Sequence, residues 1–93
     1  MVDITEIRIE KEIHKNLSMR SSAETFFNDL DSNVAKIIID FDNVEFMSRS
    51  FAQEYVYQKN QQKIEIIEKN MSDFVKKMLD IINKNYNDAI NSL

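Results

Sequence analysis

The sequence predicts an α/β domain, with a mainly parallel sheet of three to four strands and three helices. Three observations carry this reading. Short β-branched runs recur at residues 7–9, 37–39 and 66–67, each the length of a strand. Segments with apolar residues at i, i+3, i+4 and i+7 follow each run, as amphipathic helices require. The connections between the apolar runs are too long for hairpins, so parallel pairing through right-handed crossovers is the default.

The first strand comes from the stretch containing Ile4, Ile7, Ile9 and Ile13, where Ile7 and Ile9 alternate with Glu6, Arg8 and Glu10. Residues 14–18 read as a connection. Ala23, Phe26, Phe27 and Leu30 then share one helical face, with Ser21 and Glu24 as a capping box and Asp31, Ser32 and Asn33 as the stop. Ile37, Ile38 and Ile39 form a continuous apolar run, the mark of a strand buried on both faces. Asp42 and Asn43 suit a tight turn, and Val44 to Phe46 an extended segment. Ser50 with Gln53 makes a second capping box, behind which Phe51, Ala52, Tyr55 and Val56 face the core. Residues 60–62 end that second helix. Ile64, Ile66 and Ile67 supply the third strand. Asn70 with Asp73 reads as the last cap, and Phe74, Val75, Met78, Leu79, Ile82 and Tyr86 as the buried face of the final helix. Ile90 and Leu93 extend that face.

Ninety-three residues make one domain, spanning residues 1–93, and a chain of this size buries roughly 60–70% of its unfolded surface. Absence of Cys excludes disulfides and thiolate metal sites and suits a reducing compartment, so a cytoplasmic location is expected. Absence of Gly and Pro excludes glycine-rich phosphate loops. No apolar run approaches the ~20 residues that span a bilayer. The net charge of −4 and the isolation of Arg8, Arg20 and Arg49 argue against a grip on nucleic-acid phosphates.

The segment IIIDFDNVEFMSRSFAQEYV resembles the STAS domains of anti-sigma factor antagonists and sulfate transporters. It is more similar still to a STAS-like family of unknown function. The residues that carry the resemblance are Asp40, Phe41, Val44, Phe46, Ser48, Arg49, Ser50, Phe51, Ala52 and Glu54, with Arg20 ahead of the first helix. The resemblance implies a superhelical β-α arrangement and a binding surface at the second helix and its entry loop. Typical antagonists have Asp-Ser-Ser-Gly at that entry, and a kinase partner phosphorylates the first of those serines. Here Ser48, Arg49, Ser50 and Phe51 stand in those places. With Arg49 replacing the phosphorylated serine, the expectation moves from a phosphorylation switch toward constitutive binding.

Ser50 is read as an N-cap whose hydroxyl satisfies an orphan amide, and also as a phosphoacceptor candidate with Ser48. Arg49 opposes the helix dipole and needs compensation, either from Asp40, Asp42 or Glu54, or from the carboxylate or phosphate of a partner. Asp40 and Asp42 are two carboxylates at a strand end, where Mg²⁺ would need a further ligand. Turn formation and helix-entry hydrogen bonding fit them better, and no metal or other cofactor is expected. His14 has no catalytic constellation and reads as a surface histidine. Tyr57, opposite Tyr55 on the second helix, is a candidate interface aromatic. The expected function is non-enzymatic: a regulatory module docking a signalling protein, an ATPase or kinase of the anti-sigma type. The alternative is a structural or oligomerisation subunit using the C-terminal helix or an open sheet face. Neither nucleic acid nor membrane is expected as a partner.

Overall fold

The apolar runs become three adjacent parallel strands, β1 (Ile4–Arg8), β3 (Lys36–Asp40) and β5 (Glu65–Lys69), in the order β1-β3-β5. The computed structural model describes residues 3–30 and 33–92. Between the strands lie α1 (Ile9–Glu12), β2 (Asn16–Leu17), α2 (Arg20–Asn28), β4 (Phe46–Met47) and α3 (Arg49–Gln61), and α4 (Asp73–Asn91) follows β5. This is the α/β architecture that the sequence predicts. A second parallel ladder, β2-β4, and the one-turn helix α1 are added to it.

The register decides which side of the sheet is core. Ile37 lies level with Thr5 and Ile66, and Ile39 with Ile7 and Glu68; residues paired in this way share a face. Ile37 and Ile39 are buried, whereas Ile38 on the opposite face is half-buried and its neighbour Ile67 is exposed. The expectation that the isoleucine run is buried on both faces is therefore corrected. Both crossovers step in the same direction along β1-β3-β5. Right-handed connections then put α2 and α3 on one face, and α4 packs beside α3.

The core under the helices is aromatic at its centre. Tyr55 is fully buried, with ring-centroid distances of 5.2 Å to Phe27, 5.8 Å to Phe41 and 6.3 Å to Phe51. Its hydroxyl donates to Glu68 at 2.6 Å, and Lys59 Nζ donates to the other Glu68 oxygen at 2.9 Å. Burial first, and then the Glu68 charge, pushes the Tyr55 phenol well above its usual pKa, so it stays a neutral donor. Ala23, Phe26 and Phe27 are buried as the helical spacing predicts, with Leu30 packed partly against them.

The caps fall elsewhere than the sequence suggested. α2 begins at Arg20, with Met19 as an N-cap lacking a side-chain bond, so Ser21 lies inside the helix. α2 also ends at Asn28 with Asp29 as C-cap; Asn33 lies beyond that end, and Asp31 and Ser32 fall outside the described residues. α4 is capped by Ser72, whose hydroxyl accepts from Val75 N at 3.2 Å. Asn70 instead takes a left-handed φ of 60° in the loop before it. On α4, Val75, Leu79 and Ile82 are buried, whereas Phe74 and Ile90 are exposed and Leu93 lies outside the described residues. Among the described residues no helix is long and apolar enough to cross a membrane.

The two-sidedness of β3 has a direct readout in urea denaturation. Ile39→Ala removes a fully buried side chain and is expected to cost about 2–5 kcal/mol; Ile38→Ala, on the open face, is expected to cost less than about 1.5 kcal/mol. Equal losses would contradict the assignment of faces.

Candidate functional site

The strand ends and helix starts of the three long helices meet at one end of the domain, and the segment around Ser48 is their junction. β2 and β4 pair there, with Asn16 level with Phe46 and Leu17 with Met47. Ser48 continues the ladder, donating its N–H to Leu17 O at 2.8 Å. Its hydroxyl donates to Ser18 O at 2.8 Å and accepts from Phe51 N at 3.1 Å. Ser48 is thus the N-cap of α3 and ties its start to the strand that leads into α2. The assignment of Ser50 as cap is corrected. Ser50 lies in the first turn, exposed, with its hydroxyl 3.3 Å from that of Ser48.

Asp40 and Asp42 shape the approach to this junction. Asp40 Oδ1 accepts from Asp42 N at 2.9 Å and from Asn70 Nδ2 at 3.0 Å. Val44 N closes the turn onto Phe41 O at 3.0 Å, with Asn43 at φ 65° in the third position, the pattern of a type II turn. Burial works against ionisation of Asp40, but the bonds from Asn70 and Asp42 N, with Lys69 and Arg8 nearby, hold its carboxyl below the usual range. Among the described residues no group of three or more histidine and acidic side chains is placed to hold a metal ion.

None of the three carboxylates expected to compensate Arg49 does so. Asp40 is engaged by the turn, and Asp42 pairs with Arg8 at 3.3 Å. Glu54 pairs with Arg20, Nε to Oε1 at 2.8 Å, and its second oxygen accepts from Gln58 Nε2 at 2.7 Å. Glu54 is buried, its side chain 6% exposed, while that of Arg20 is 72% exposed. Arg20 therefore reaches inward from the start of α2 to a carboxylate on α3. The Gln58 bond, against the effect of burial and with the help of Arg20, holds the Glu54 carboxyl below its ordinary pKa. Arg49 is the first residue of α3, exposed, and makes no ion pair or side-chain hydrogen bond among the described residues.

Beside Arg49 lies apolar surface that sequence reading missed. Phe46 is 40% exposed and stacks on Phe74, 48% exposed, at 5.7 Å. Met19, next to the Ser18 carbonyl that Ser48 holds, is 63% exposed. Sequence periodicity places Phe74 in the core because it precedes Val75 at the start of an amphipathic helix; Val75, Leu79 and Ile82 instead take the buried face of α4, and Phe74, off that face, is exposed. Tyr57 is exposed, as expected, two positions beyond Tyr55 on α3. His14 is exposed and accepts from Asn16 N at 3.0 Å. A cleft of about 460 Å³ lined by Ile7, Ile13, Ser22 and Phe26 lies along α2 and contains none of the site residues read from the sequence. No protein-family model, curated protein or solved structure matches the chain.

Two outcomes check this geometry. Ser48→Ala removes the cap and is expected to lower stability by about 1 kcal/mol, while Ser50→Ala stays within about 0.5 kcal/mol. The depressed Glu54 pKa stabilises the fold at pH above its unfolded value, near 4.3, and this contribution is lost as pH falls through the folded value. Melting curves between roughly pH 6 and 3 are therefore expected to fall less steeply for Glu54→Gln than for the native chain, from a lower start at neutral pH.

Proposed function

We propose that the chain is a non-enzymatic, STAS-like regulatory module that docks a protein partner through α3 and its entry loop. The observation that carries this reading is Arg49. It occupies the first position of a helix, where a cation is disfavoured by roughly 0.3–1 kcal/mol, and the fold supplies no carboxylate to offset it. An acidic group on a partner would supply the offset that the fold does not.

Its setting supports that reading. The stacked Phe46–Phe74 pair supplies exposed aromatic area of the kind that anchors interfaces, and the Ser48 network holds the loop rigid. Three helix N-termini, those of α2, α3 and α4, add positive dipole ends to the same end of the domain. An acidic side chain or phosphate on the partner fits this chemistry, with Arg49 gripping it by two parallel hydrogen bonds. The family resemblance suggests an ATPase or kinase of the anti-sigma type, and with it a cytoplasmic location. Phosphorylation, where it occurs, falls on Ser50, because the Ser48 hydroxyl is committed to Ser18 and Phe51.

Affinity capture from native extract tests this. The wild-type chain is expected to retain an ATPase or kinase, and Arg49→Ala to lose it at least about tenfold while the urea midpoint stays level or rises, the dipole clash being removed. Equal capture by the variant would take Arg49 out of the interface.

A further inference from the structure

All-parallel sheets are almost always covered on both faces. Here the helices cover one, and among the described residues the opposite face is open to solvent. On it the register sets out three rows across the strands. Glu6, Ile38 and Ile67 form the middle row. Lys36 and Glu65 sit in the row before it, paired at 3.1 Å, and Arg8 and Lys69 in the row after it, with Lys69 reaching Glu6 at 3.1 Å. Ile4 and Ile67 are 55% and 40% exposed. The face thus has an apolar centre flanked by charges of both signs that balance with Asp40 included, whereas the chain as a whole carries −4.

We propose that this face is a self-association surface, on which a second copy of the chain docks about a two-fold axis. Stacked sheets keep their strands aligned within about 30°, which leaves two face-to-face arrangements. With the axis along the strands, Lys69 of one copy meets Arg8 of the other, and Ile67 meets Glu6. With the axis across the strands, through the middle row, Ile38 and Ile67 each meet their own counterparts. Glu65 of each copy then meets Lys69 of the other, and Lys36 meets the acidic turn of Asp40 and Asp42. Only Glu6 faces its own charge. Charge complementarity selects this second arrangement, an isologous dimer of the closed kind that a two-fold generates. The patch is small: three strands of five residues cover about 14 by 17 Å, less than the ~800 Å² per partner of a standard interface. The dimer is accordingly weak. It lies on a different surface from the Arg49 site and does not depend on that reading.

Sedimentation of the intact chain from about 10 μM to 1 mM covers the concentrations at which a weak dimer forms. The native chain is expected to move from monomer to dimer, Ile67→Lys to remain monomeric, and Glu6→Gln to associate several-fold more tightly. Glu65→Lys and Lys69→Glu are each expected to weaken association about tenfold or more, and the double exchange to restore it. Restoration cannot arise within one chain, because four residues along a strand separate the two side chains by about 13 Å, beyond the screening length of ~8 Å. A native chain monomeric throughout would overturn the proposal and leave the face to a different partner. A double variant no more dimeric than the singles would overturn it as well.

Discussion

The buried phenol of Tyr55 is the contact on which the arrangement of layers depends. Its ring lies against Phe27 of α2, Phe41 after β3 and Phe51 of α3, and its hydroxyl reaches Glu68 of β5. One side chain therefore fixes α3 against the neighbouring helix and against two strands. A phenol is suited to this place: it buries a large apolar area and carries one donor, which a strand carboxylate satisfies at 2.6 Å. Glu68, half-buried, is in turn held by Lys59, one turn further along α3, so its charge is paired.

Fixing the rotation of α3 at Tyr55 also fixes what lies one residue earlier and one turn earlier. Glu54 is aimed at the start of α2, where Arg20 meets it, and Phe51 is drawn into the core directly behind the Ser48 cap. The three arginines then divide by role. Arg8 pairs with Glu10 and Asp42 beside the sheet end, and Arg20 pairs with Glu54 between the helices. Arg49 is left pointing at solvent from the first position of a rigidly held helix. Its exposure is a consequence of the core and not of a loose loop.

Long periodic elements were legible in the sequence, and contacts between them were not. The three main strands and three long helices follow from apolar spacing, and Phe51, Ala52, Tyr55 and Val56 were placed correctly because α3 is amphipathic over several turns. The β2-β4 ladder has two residues per strand, too few to show alternation. The triple isoleucine run hid the open face, because a residue's apolarity says nothing about whether a helix covers it. The three N-caps were each misplaced by two residues, and for α3 and α4 this happened where several Ser, Asn and Asp stand close together, since each of these side chains can cap. The pairing of Arg20 with Glu54 spans 34 positions and became visible only with α2 laid against α3.

The proposed recognition site lies at the α3 entry, with Arg49 and the Phe46–Phe74 pair. Site-specific photo-cross-linking tests it most directly, with a photoreactive side chain placed in turn at Phe46, at Ser50 and at Lys84 on the outer face of α4. Positions 46 and 50 are predicted to yield one and the same cross-linked partner in native extract, and position 84 none. A partner captured from position 84 and not from 46 or 50 would contradict the account.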